Sequence, residues 1–320
     1  MRITIIGGAG FIGTNLALNL CRTSENKIRL IARLGEHLHA LRILNLPNVY
    51  LEEGSFDDQT DFDEQVRNSD YVYHLASTII PGTSNYHIAE ELESNVVVTA
   101  RFLDACVRQK VERVVFLSSG GTVYGKKGSY PIAEDTVTYP ISTYGIQKLT
   151  IEKLLYLYRF QHGLDYRIIR LANPYGPYQR PNGRLGVVTT FVYKALTDRK
   201  LEVYGDGSIV RDYIYIDDAI RGIIAIANGE SDLRVFNLGT GKGTSINEII
   251  SVIKQNVCSD LQVSYVSARS ADIPVNYLDI SRYEENYGCL NPISLEEGIR
   301  KTAEFFRSIE NNPFCVTEGK

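Results

Sequence analysis

Several features are missing from the sequence, and each absence narrows what the chain can be. No apolar run approaches bilayer length: the most apolar stretches, "RITIIGG" and "RVVFLSS", are only long enough for strands. No excess of basic residues exists either; net charge is −4 and the lysines and arginines are scattered. That pattern lacks the electrostatic footprint of a nucleic-acid binder. The five cysteines, Cys21, Cys106, Cys258, Cys289 and Cys315, are widely spaced and odd in number. They form no C-x-x-C pair and no zinc ligand set, and they read as reduced thiols. His37 and His39 in "GEHLHA" have no third ligand nearby and read as surface-helix residues. No internal repeat or low-complexity linker interrupts the chain, and the N-terminus runs straight into a strand, leaving no room for a signal peptide. The expectation is a cytoplasmic protein with neither membrane nor nucleic-acid partner. Tryptophan is absent too, whereas the 21 tyrosines can both pack a core and supply hydroxyls to a sugar pocket.

What is present is an alternation of strand and helix. "RITIIGG", "KIRLIAR", "VYLEEGS", "YVYHLAS", "RVVFLSS" and "YRIIRLANPYG" read as strands, and the last follows a long helix, "TYGIQKLTIEKLLYLYRFQHG". Such βαβ units imply a parallel sheet with right-handed crossovers, and Val and Ile on both faces imply cover on both sides. The predicted fold class is α/β, a doubly wound parallel sheet with a smaller C-terminal α/β domain interleaved with it. Beyond residue 174 the alternation loosens into "NPYGPYQRPNGRLG", and loops of that length in a compact domain usually serve function.

The first strand runs into "GGAGFIG", in which Gly7, Gly10 and Gly13 form G-x-x-G-x-x-G. Glycine there allows a tight turn, a close approach of backbone N–H groups to a pyrophosphate, and close helix–strand packing. The following helix N-terminus adds free N–H groups and its positive dipole end. The second strand ends Ile31-Ala32-Arg33, without the acid that would bind the ribose 2′-hydroxyl of NAD. Arg33 at that place suits the 2′-phosphate of NADP or is a solvated charge. A dinucleotide is expected, with NAD as cofactor and NADP as the alternative.

Tyr144 and Lys148 stand four residues apart, on one face of the long helix. A cation beside a phenol lowers its pKa, so the pair can take a proton from a sugar hydroxyl while hydride leaves the same carbon. Upstream, "VVFLSSGGTVYG" ends a strand in hydroxyls and glycines. With "YHLAS", "RLANPYGPYQ", "VRDYIYIDD" and "FNLGTG", these motifs resemble the extended short-chain dehydrogenase/reductase family, and within it the nucleotide-sugar epimerases of the UDP-glucose 4-epimerase type.

The resemblance implies a Rossmann-type domain over 1–173 with a returning segment at about 211–240. The nucleotide-sugar domain would comprise 174–210 and 241–320, and two long helices per subunit would form a homodimer. It implies Tyr144 as base and Lys148 as its partner, bound also to the nicotinamide ribose. Gly7, Gly10, Phe11, Ile12 and Gly13 would line the phosphates, with Leu75, Ala76, Ser77 and Asn95 near the dinucleotide. Asn173, Arg211 and Arg269 would hold a UDP-sugar diphosphate, Asp272 the uridine ribose, and Val187 and Tyr204 the rest of that pocket. An arginine fork suits a diphosphate better than lysine does. The family's catalytic Ser or Thr is replaced by Gly120. Ser118, Ser119 and Thr122 are the available hydroxyls, and Ser119 is favoured as nearest in sequence. Gly121 and Thr122 stand where related dehydratases carry Asp-Glu, so elimination of water is not expected. Asn276 occupies the position where strict glucose/galactose epimerases place tyrosine, which implies room for the N-acetyl group of UDP-GlcNAc and UDP-GalNAc beside UDP-Glc and UDP-Gal. The rival readings are an NADPH-dependent reductase of a 4-keto sugar nucleotide and a non-catalytic dinucleotide-binding regulator.

Overall fold

The computed structural model describes residues 1–33, 35, 45–77, 85, 87–181, 186–267 and 273–308. His37, His39, Arg269, Asp272 and Cys315 lie outside these. Six of the strands expected from sequence join a seventh in one parallel sheet: β1 (Arg2–Ile6), β2 (Lys27–Ala32), β3 (Val49–Glu53), β4 (Tyr71–His74), β5 (Arg113–Ser119), β6 (Asp165–Leu171) and β7 (Val235–Leu238). Their order is β7-β6-β5-β4-β1-β2-β3. The direction of winding reverses at β1, which pairs with β2 on one side and with β4 on the other. In open α/β sheets the crevice beyond the carboxyl ends at such a reversal receives the ligand.

Alternate residues of these strands enter separate cores. Ile3, Ile5, Val115 and Leu117 pack with Leu16 of the Phe11–Leu20 helix and Ile220 of the Ile216–Asn228 helix. Ile6, Val114 and Phe116 pack on the other face with Phe102 of the Val98–Arg108 helix and with Ile151 and Leu155 of the Thr143–His162 helix. This two-sided burial explains why the strands read as nearly continuous apolar runs. The long helix starts where Ser142 Oγ accepts from Gly145 N at 3.1 Å and Asn85 Oδ1 accepts from Thr143 N at 2.7 Å. It stops at Gly163, whose φ of 73° the left-handed region favours. Ile146, Tyr156, Leu157 and Phe160 project outward from it, Phe160 with 82% exposure.

The later part of the chain is built from shorter pieces. Lys200–Tyr204 pairs in parallel with Gln262–Val266, Asn173–Tyr175 with Tyr213–Tyr215, and Val210–Arg211 lies between Thr244–Ser245 and Val275–Asn276. The Val187–Thr197, Ile246–Asn256 and Leu295–Ser308 helices pack on one another. Among the described residues the cysteines are free thiols, no group of three potential ligands could hold a metal, and no helix is long and apolar enough to cross a membrane.

Candidate active site

The glycine loop at the end of β1 has a separate reason for each glycine. Gly7 takes φ +82°, and a Cβ there would come within 2.9 Å of Ala76 N. A Cβ on Gly13 would meet Gly8 O at 2.6 Å, so glycine lets the helix sit down on the loop. A Cβ on Gly10 would lie 3.3 Å from Gly7 O. Gly10 is also the N-cap of the Phe11–Leu20 helix and supplies no side-chain acceptor. The first turn, Phe11, Ile12 and Gly13, therefore receives no side-chain cap from residue 10, and backbone N–H groups at an uncapped helix start are suited to phosphate. Leu75, Ala76 and Ser77 follow β4 directly and flank this loop, Leu75 N donating to Ile6 O at 3.0 Å. A dinucleotide pyrophosphate fits this cradle.

Asn95 sits in a π-helical turn, Glu93–Val97, a rare geometry that often marks functional positions. Its carbonyl accepts from Thr99 Oγ1 at 2.6 Å, and Thr99 Oγ1 is 3.3 Å from His74 Nε2 at the end of β4. Since the threonine proton is already given to Asn95, His74 Nε2 carries the proton between them. Burial holds the His74 pKa down at about 3, so the ring is neutral. At the end of β2, Arg33 is exposed, and Ala32 is paired with Glu53 of β3, so an acid stands on the neighbouring strand.

The end of β5 meets the long helix. Lys148 Nζ donates to Leu117 O at 2.8 Å and lies 4.7 Å from the Phe116 ring centroid and 5.5 Å from that of Tyr144. Burial pulls Lys148 down to about 8, against the raising influence of Glu152, and pushes Tyr144 up to about 12. Without a ligand the phenol is a weak acid, and a cation facing it from the ligand side is what would make it a base.

Sequence reasoning missed the buried network behind this pair. Ser118 Oγ donates to Glu152 Oε1 at 2.5 Å. Arg170 grips the same carboxylate, with Nη2 2.7 Å from Oε2, and donates from Nη1 to Tyr124 Oη at 3.0 Å. Tyr124 Oη in turn donates to Asn237 Oδ1 at 2.6 Å. Glu152 stands one helical turn beyond Lys148, and Arg170 interrupts an apolar strand. Those two charges were the available signal.

The turn after β5 is shaped from a distance. A Cβ on Gly120 would lie 2.5 Å from Leu278 Cδ1 and 3.1 Å from Arg170 O. Asn276 is buried and donates from Nδ2 to Gly120 O at 3.3 Å. Thr122 Oγ1 is buried without a hydrogen-bond partner. Ser119 is half-buried and, by strand alternation, faces away from Ser118. Farther out, Asn173 Nδ2 donates to Asp212 O at 2.9 Å, and Arg211 Nη1 to Val210 O at 2.8 Å. Arg211 is in register with Asn276. Val187 begins its helix and Tyr204 ends its strand, both exposed.

The family model described as "NAD dependent epimerase/dehydratase family" matches residues 3–239. A UDP-glucose 4-epimerase of Mycolicibacterium smegmatis is 33% identical over 311 residues, covering 96% of this chain and 99% of that protein. The crystal structure of a UDP-glucose 4-epimerase from Thermotoga maritima, with UDP-glucose, superposes with a TM-score of 0.88 at 31% identity, covering 97% of this chain and all of that one. A UDP-glucuronic acid 4-epimerase from Bacillus cereus, in complex with UDP-glucuronic acid and NAD, gives 0.87 at 27% identity, covering 97% and 100%. Other matches include a sugar-nucleotide reductase, a decarboxylase and a dehydratase.

Proposed function

This chain belongs to the NAD-dependent epimerase/dehydratase family, with NAD as cofactor, and on that premise we propose that it is a 4-epimerase of UDP-sugars, interconverting UDP-glucose and UDP-galactose. The observation that carries the reading is the Tyr144–Lys148 pair at the end of β5, beside a turn, Gly120-Gly121-Thr122, that holds no carboxylate. Tyr144 takes the proton of the C4 hydroxyl, and Lys148 holds positive charge beside the phenol. Bound NAD would supply the acceptor, and then the donor, of the C4 hydride. Without an acid at 120–122 the chain offers no group there to drive out water, so the keto-sugar turns over and is reduced on its other face. Lys148 Nζ donates to Leu117 O, which ties the catalytic helix to the strand end.

Asn276, a short amide in place of a ring, supports acceptance of UDP-GlcNAc and UDP-GalNAc as well. The outward apolar residues of the long helix, Ile146, Tyr156, Leu157 and Phe160, support a homodimer formed through that helix. The exposed Arg33 favours one competing reading, an NADPH-dependent reductase of a 4-keto sugar nucleotide.

The deciding experiment incubates the protein with UDP-glucose without added cofactor and follows the sugar by NMR. UDP-galactose should accumulate to equilibrium with no net change in reduced nicotinamide. Stoichiometric consumption of added NADPH with a keto-sugar, and no epimer, would establish the reductase instead. Offering UDP-GlcNAc in parallel tests the Asn276 argument, and no turnover of it would remove that extension.

A further inference from the structure

We infer that the hydroxyl holding the reacting C4 oxygen is that of Thr122, in place of the Ser119 favoured by sequence and of the residue at 120. The inference deepens the epimerase reading and rests on it for the identity of the sugar. Four positions compete, and geometry separates them.

Position 120 is closed as well as lacking a hydroxyl. Any side chain there starts with a Cβ 2.5 Å from Leu278 Cδ1 and 3.1 Å from a backbone oxygen, and Leu278 is fully buried. Ser118 has given its proton to Glu152, whose other oxygen is held by Arg170. Ser119 alternates to the face of Leu117, whose side chain lies in the core opposite the one containing Phe116. Phe116 is the ring beneath Lys148, so Ser119 is turned from the catalytic helix.

Thr122 differs on each count. The chain folds back after β5, with Thr122 N and Val123 N both donating to Ser119 O, at 3.3 and 3.2 Å. That turn lays residue 122 against the start of the catalytic helix: Thr122 O is 2.9 Å from where a Cβ of Gly145, next to Tyr144, would lie. Its Oγ1 is buried and unpaired. Burying a hydroxyl without a hydrogen-bond partner is unfavourable. A sugar oxygen presented to Tyr144 supplies the partner that the protein withholds.

During oxidation the O4 proton passes to the phenolate of Tyr144, bound NAD would take up the hydride that leaves C4, and C4–O becomes a carbonyl. Thr122 keeps its proton and donates it to that oxygen throughout; on return every transfer reverses.

Single-turnover reduction of bound NAD by UDP-glucose, read at 340 nm, compares T122V, T122S and S119A with wild type. T122V should slow hydride transfer roughly 100-fold, the scale for losing one donor to a reacting oxygen. T122S and S119A should stay near wild type. Because the lost hydroxyl is an orphan in the free protein, T122V should keep or raise Tm, whereas a structural role would lower it. A wild-type rate in T122V, or the large loss falling on S119A, overturns the inference. Hydride transfer precedes epimerisation, so a wild type that reduces its NAD but releases no UDP-galactose sinks the epimerase reading and leaves this comparison intact. If the substrate is a 4-keto sugar, the same variants are ranked by NADPH oxidation.

Discussion

The two halves of the candidate site are built by different means. The cofactor side is one βα unit: a strand, three spaced glycines and a helix start, all within residues 2–20. The proposed sugar side is assembled from two- and three-residue strands and from single contacts across the chain, such as Asn276 to Gly120, 156 residues apart. Dinucleotide binding needs backbone N–H groups in a fixed turn, which a local sequence can specify. Sugar recognition needs side chains brought from several elements, which only the whole fold specifies. Mutations should accordingly separate chemistry, scaffold and cofactor selectivity.

The largest expected effect is at the junction of the halves. Tyr144→Phe should reduce turnover by about 10²–10⁴, the usual weight of a positioned proton acceptor, while NAD stays bound. Activity retained in that variant would remove Tyr144 as base. Lys148→Met should shift the rising limb of the pH–rate profile to higher pH, because the phenol, already raised to about 12 by burial, loses its cationic neighbour. Lys148 itself, lowered to about 8, loses its charge above that pH. The wild-type rate should therefore fall away on the alkaline side, and a profile unchanged by Lys148→Met would contradict the pairing.

The next effect concerns the scaffold that both halves share. Arg170→Met leaves the buried Glu152 charge unpaired and should destabilise by about 3–5 kcal/mol, whereas removing both charges together should cost much less. Denaturant midpoints of the two single variants and the double variant measure this directly, and additive losses would show that the pair is not coupled. A smaller effect belongs to the sugar side. Gly120→Ser should destabilise by about 1–3 kcal/mol through overpacking against Leu278, and adding Leu278→Ala should relieve most of it. No relief would mean that some contact other than Leu278 sets the size limit at residue 120.

These cases also show where the sequence could be read and where it could not. The parallel sheet, the glycine loop and the Tyr144–Lys148 spacing are local patterns, and they were legible. Ser118 read as a substrate hydroxyl because its partner Glu152 is 34 residues away. Gly120 read as a missing hydroxyl because Leu278, which fills the space, lies in the last quarter of the chain. Arg170 went unremarked inside an apolar strand, since its meaning depends on a carboxylate from the facing helix. In each case the residue type was visible and its partner was not.

The smallest predicted effect tests the cofactor side at its one irregular point. Arg33 is exposed just past β2, with Glu53 opposite Ala32 on the adjoining strand. A guanidinium in water gains little from a ribose hydroxyl, whereas a 2′-phosphate offers it a charge, worth about 1 kcal/mol at an exposed position. Arg33→Ala should therefore leave NAD affinity unchanged by calorimetry and weaken NADP about fivefold, the same energy expressed as a ratio. A marked loss of NAD affinity would break the comparison drawn above, because a side chain at the strand end, and not the backbone cradle, would then dominate cofactor binding.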